Sequence, residues 1–108
     1  MKEIALDASR WRTFDDLFAS IFRALGAPDW HGASVDALID SMVYGGINEL
    51  EPPYVLDICG VDGLPEELRS FLVDLRRFIA EHVARTVRVH GEQVAVSLRL
   101  DGEAFAAP

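Results

Sequence analysis

The sequence predicts a small α/β domain with a parallel or mostly parallel sheet packed against helices, and three observations carry that expectation. Runs of strand and helix character alternate as strand, helix pair, strand, long helix, strand, and right-handed crossovers turn such an order into a parallel sheet. The chain has 108 residues, half of them hydrophobic, enough to bury a core without disulfides or metal. No repeat, low-complexity stretch or linker divides it, so residues 1 to 108 are expected to form one domain, with a loose tail from about residue 103.

Lys2 to Ala8 has an apolar centre, Ile4 to Leu6, and suits a short buried strand. Thr13 is a good N-cap, and Asp16 three residues on can complete a capping box. Behind them Phe14, Leu17, Phe18, Ile21, Phe22 and Leu25 fall on one face at helical spacing, so all six are expected in the core, and Gly26 and Pro28 end the helix. A shorter helix begins after Ser34, whose hydroxyl can cap it, with Val35, Leu38, Ile39 and Met42 as its apolar stripe and Gly45-Gly46 as its stop. Ile47 to Pro53 reads as a loop, and Tyr54 to Cys59 as a second strand.

After a turn through Gly60 and Gly63, Pro65 suits the first position of a helix whose start is favoured by Glu66 and Glu67. Leu68, Phe71, Leu72, Leu75, Phe78, Ile79 and Val83 make it long and amphipathic. Its outer face, with Arg69, Arg76, Arg77 and Arg85 against Asp74 and Glu81, is expected to be solvated. Val87 and Val89 alternate, as do Val94, Val96, Leu98 and Leu100, so the C-terminal region reads as one strand or a hairpin. The sheet is therefore three-stranded, or four-stranded with the hairpin.

Charge narrows the partners. The net charge of −8 argues against direct binding of nucleic acid, which needs clustered Lys and Arg. Residues 1 to 64 hold four basic and eleven acidic side chains, net −7, whereas residues 65 to 108 hold six and seven, net −1. An acidic field so placed would attract something basic, although acidic surfaces also simply keep proteins soluble. No apolar run reaches the length of a membrane span and no signal peptide is visible, so no membrane association and a cytoplasmic location are expected. A single cysteine, Cys59, in an apolar strand agrees with a reducing compartment and an inert thiol.

Motifs for enzymatic chemistry are missing: there is no GxGxxG, P-loop, GxSxG or CxxC pair. His31, His82 and His90 are too scattered for a metal motif, so neither a metal nor a cofactor is expected. The densest polar stretch is Asp29 to Met42, where Asp36 and Asp40, four apart, project from the same side of the second helix. Asp36 near the helix start complements the dipole. Asp40 does not gain in that way, because a like charge at i+4 is slightly unfavourable. Both a solvated face and a binding site for a basic partner remain open on these grounds.

Pro28-Asp29-Trp30-His31-Gly32 followed by Asp36-Ala37-Leu38 and Asp40 resembles the signature of the barstar family, small intracellular inhibitors of secreted bacterial ribonucleases. The order of elements is similar as well, over most of residues 1 to 100. The resemblance implies a barstar-like fold and a stoichiometric inhibitor, not an enzyme, whose helix carboxylates stand in for RNA phosphates in the active site of a basic, barnase-like ribonuclease. By position, Asp40 matches the carboxylate seated among the catalytic residues of the ribonuclease and Asp36 its companion one turn earlier. Trp30 matches an aromatic that packs on the enzyme, and Gly32 a close approach of backbone.

The chain departs from the family pattern at Ser34, where Asn is frequent, at Ile39 in place of Trp, and at His31 in place of a second aromatic. Tyr44 stands in for the aromatic after the helix, and the Gly45 to Pro52 loop is longer. Ser34 and Ala37 line the same helix start, and Glu81 on the long helix is the candidate for a further acidic contact. The chain is expected to be monomeric when free. The alternative is a barstar-like interaction module for a different basic protein, a non-ribonuclease toxin or a regulator.

Overall fold

The computed structural model describes residues 2–26, 34–39, 42–43, 53–90 and 96–104, without the side chains of Val35 and residues 86–90. Its elements are β1 (Lys2–Asp7), α1 (Phe14–Leu25), α2 (Val35–Ile39), β2 (Tyr54–Cys59), a 3₁₀ turn at Val61–Gly63, α3 (Glu66–His90), β3 (Val96–Leu100) and β4 (Glu103–Ala104). The four strands lie in the order β1-β2-β3-β4. β2 is central and pairs in parallel with both β1 and β3, with Leu56 opposite Ile4 on one side and Leu98 on the other. Only β4 runs antiparallel.

Local chemistry explains the strongest elements. Thr13 Oγ1 accepts from Asp16 N at 3.2 Å while an Asp16 carboxylate oxygen accepts from Thr13 N at 3.2 Å and Arg12 N at 2.9 Å, a completed capping box. At the other end of α1, Gly26 takes φ +67°, a left-handed cap that a side chain with a Cβ disfavours. The Pro65 carbonyl accepts from Leu68 and Arg69 N, so Pro65 caps α3 and the first helical residue is Glu66, one later than expected.

The sheet buries one face. In β3 Val96, Leu98 and Leu100 are buried between half-buried Ser97 and Arg99, and in β1 Ile4 and Leu6 alternate with exposed Glu3, Ala5 and Asp7. The inward set meets Leu17, Ile21 and Leu25 of α1, Leu38 and Ile39 of α2, and Leu68, Leu72, Leu75 and Ile79 of α3 in a single core, a two-layer arrangement. Each such side chain contributes roughly 1.5–3 kcal/mol through burial. On the opposite face Arg99 Nη1 reaches Glu3 Oε1 at 3.3 Å across β2, where Val55 is buried outside that core.

Several expectations change. Phe14, the first residue of α1, is 41% exposed, its ring edge-to-face with Phe71 at a centroid separation of 5.4 Å. Phe22 is half-buried, stacked on Phe18 at 6.1 Å. Val87 and Val89 belong to α3, which runs to His90, so no strand forms there. Once a helix is nucleated each added residue gains a hydrogen bond, and the few tenths of a kcal/mol that a β-branched residue costs do not stop it. Arg76 is half-buried, with Nη1 donating to Glu103 O at 3.0 Å, and is not part of a fully solvated face. Glu103 and Ala104 form a strand where a loose tail was expected, because Asp101 (φ +51°) and Gly102 (φ +82°) form a tight turn of the kind that joins antiparallel strands.

Candidate partner-binding surface

The described part of the surface is α2. Ser34 Oγ accepts from Ala37 N at 3.1 Å and Ser34 O from Leu38 N at 3.0 Å, so the side chain and carbonyl of one residue start the helix. Leu38 and Ile39 turn into the core, as do Met42 and Val43 beyond. On the other side Ser34 and Asp36 are exposed and Ala37 is half-buried. With 3.6 residues per turn, burying positions 38 and 39 directs position 36 to solvent. Burial of Leu38 and Ile39 fixes this orientation.

Tyr54 supports the surface from below. It is 1% exposed at the start of β2, and its hydroxyl donates to Met42 O at 3.4 Å, tying the chain beyond α2 to the central strand. Burial pushes the phenol's pKa up, so the group stays a neutral donor. The sequence offered a β-strand aromatic here without any sign of this role.

Glu81 lies on α3 with its side chain 58% exposed, 3.7 Å from Arg77 Nε, and Arg77 Nη2 also approaches Asp74 at 3.6 Å. The guanidinium stacks over Phe78 at 5.0 Å. Glu81 is therefore already half of an exposed ion pair, the kind that contributes about 0–1 kcal/mol. No hydrogen bond or ion pair joins it to Asp36 among the described residues. Trp30, His31, Gly32, Asp40 and Tyr44 lie outside the described residues.

Among the described residues no group of His, Cys, Asp or Glu is arranged to hold a metal ion. Cys59 is exposed at the end of β2, where alternation sets it on the face opposite Leu56 and Ile58. Desolvation and the nearby carboxylates of Asp57, Asp101 and Asp7 push its thiol pKa up, which keeps it a poor nucleophile despite its exposure. No helix among the described residues is long and apolar enough to cross a membrane.

The parallel three-strand core, the long α3 and the short α2 with an outward carboxylate agree with the family resemblance seen in the sequence. The family model described as barstar (barnase inhibitor) matches residues 1–99. No curated protein matches the chain. A match over that much of the chain, with an α/β fold in keeping, establishes that the chain belongs to the barstar family.

Proposed function

We propose that this protein is a stoichiometric inhibitor of a basic, secreted, barnase-like ribonuclease, acting in the cytoplasm as a monomer that pairs with one enzyme. The observation that carries this reading is the barstar-family match across residues 1–99, which includes both helix carboxylates. Exposed Asp36 on a helix whose other side is anchored in the core supports it, because that arrangement lets the helix present charge without changing shape. Asp40 enters the ribonuclease active site as a phosphate mimic with Asp36 beside it, while Trp30 packs on the enzyme and Gly32 admits close backbone contact. Ser34 and Ala37 lie against its rim, with His31, Tyr44 and Glu81 at the periphery. Inhibition follows from occlusion, and the acidic first two thirds of the chain speeds encounter with a cationic enzyme.

Titrating the purified protein into small basic ribonucleases while following RNA cleavage tests the reading. The expected outcome is loss of activity at one inhibitor per enzyme. Asp40→Ala should weaken inhibition by at least about thirtyfold, as for a buried interfacial hot spot, with the circular dichroism spectrum unchanged. Undiminished inhibition by that variant would overturn the assigned surface. Binding to a basic protein without inhibition of any ribonuclease would transfer the surface to a different partner.

A further inference from the structure

Leu38 and Ile39 are followed four residues on by a second buried pair, Met42 and Val43. In a regular α-helix a pair four residues on has turned about 40° further round the axis. Met42 and Val43 are instead π-helical, a wider winding that turns less per residue and offsets that drift, so both pairs face the core along one line. Their contacts are apolar, and apolar burial has no preferred direction, so this stripe alone lets the helix roll over the core at little cost. A hydrogen bond is directional, and one is present: the Tyr54 hydroxyl donates to Met42 O at 3.4 Å. Tyr54 is a fixed reference for that bond. It is buried at the start of the central strand, opposite Lys2 of β1 and Val96 of β3, with a parallel ladder on each side.

We propose that Tyr54 is a positioning residue of the partner surface: its hydroxyl fixes the roll of α2 about its own axis, and with it the direction in which Asp36 is presented. The proposal rests on the inhibitor reading, for which α2 is the binding helix. Asp36 is exposed two residues before the buried Leu38, so any roll that moves the one moves the other. The cap at the opposite end does not do this work. Ser34 bonds to its own neighbours, Ala37 N and Leu38 N, and those bonds turn with the helix. Tyr54 is 1% exposed, so it acts on a partner through α2 and not by contact.

Tyr54→Phe keeps the ring and removes the donor, and it is compared with Thr13→Ala, which removes a cap of α1 at a similar cost in stability. In a protein that stays fully folded, lowered stability alone leaves affinity unchanged. The dissociation constant for a basic ribonuclease that the native chain inhibits should rise about three- to tenfold in Tyr54→Phe, the worth of one neutral hydrogen bond, and stay level in Thr13→Ala. The rise should shrink when Asp36 is already replaced by Asn, because Tyr54 then has no carboxylate to aim. Residual dipolar couplings of the free protein give a readout that needs no partner. In Tyr54→Phe the N–H couplings of Asp36 to Ile39 should shift, while those of Phe18 to Leu25 in α1 keep their values. An unchanged dissociation constant in Tyr54→Phe, or an equal rise in Thr13→Ala, would overturn the proposal. So would unshifted α2 couplings, whether or not a ribonuclease is bound. A native chain that inhibits no ribonuclease overturns the inhibitor reading itself, and the couplings then decide alone whether Tyr54 orients α2.

Discussion

α1 and α2 belong to the same crossover between β1 and β2, yet they are held by opposite means. α1 has twelve residues, a reciprocal capping box, a left-handed glycine cap and four buried side chains. α2 over its described residues, Val35–Ile39, is started by the Ser34 side chain and buries Leu38 and Ile39. Local bonds satisfy the ends of the first helix, whereas the second borrows its order from the core and from the Tyr54 bond to Met42 O. The lesson is that a helix can take its orientation from packing as much as from its own caps. Its aim is set by what lies beneath it, which leaves its outward positions free to carry charge.

Substitutions that break this contrast should act in a graded way. Leu38→Ala, fully buried in the native chain, should cost about 2–5 kcal/mol in urea unfolding and should weaken inhibition along with stability, because Leu38 anchors α2 in the core. Tyr54→Phe keeps the ring but removes the donor to Met42 O; about 1 kcal/mol of stability should be lost, with the faster dissociation of any inhibited complex as the more telling readout. Thr13→Ala removes one half of the α1 box and should cost about 1 kcal/mol while leaving inhibition unchanged, which sharpens the separation between the two helices.

The smallest effect is on pH. Backbone hydrogen bonds from Arg12 and Thr13 hold Asp16 below its ordinary value of 3.8, and the amide of Ser9 does the same for Asp7. A folded-state pKa below the unfolded one gives stability that is present above the unfolded value and is lost as pH falls through the folded value. Melting temperature should therefore fall on acidification below the ordinary carboxylate range, and Asp16→Asn should flatten part of that fall. An identical acid profile for Asp16→Asn would remove the box from the account of α1.

Much of the fold was legible because its signals are local. The Thr13 to Asp16 spacing, the apolar stripe of α1 apart from Phe14 and Phe22, and the Tyr54–Cys59 run each reflect chemistry within a few residues, and the structure bears them out. The extent of α3 was not, since Val87 and Val89 favour strands taken alone while an existing helix propagates through them. The Asp101-Gly102 turn did carry a signal, the Asp-Gly pair favoured in two-residue hairpins, but only two paired residues follow it, too few for alternation to mark a strand. At the candidate surface the Ser34 cap and the outward Asp36 could be read from spacing. Tyr54 could not, because its hydroxyl serves a carbonyl twelve residues earlier, a contact no local pattern encodes.

The position of β2 between the first and third strands has a consequence during synthesis. Its two parallel partners, Lys2–Asp7 and Val96–Leu100, are made far apart in time, and Arg99 reaches back across it to Glu3. Sheet completion therefore waits until the C-terminal strand clears the ribosome, and non-local pairing of this sort is slow to form. A chain interrupted before β3 lacks the second parallel partner of its central strand and the inward Val96, Leu98 and Leu100 of the core.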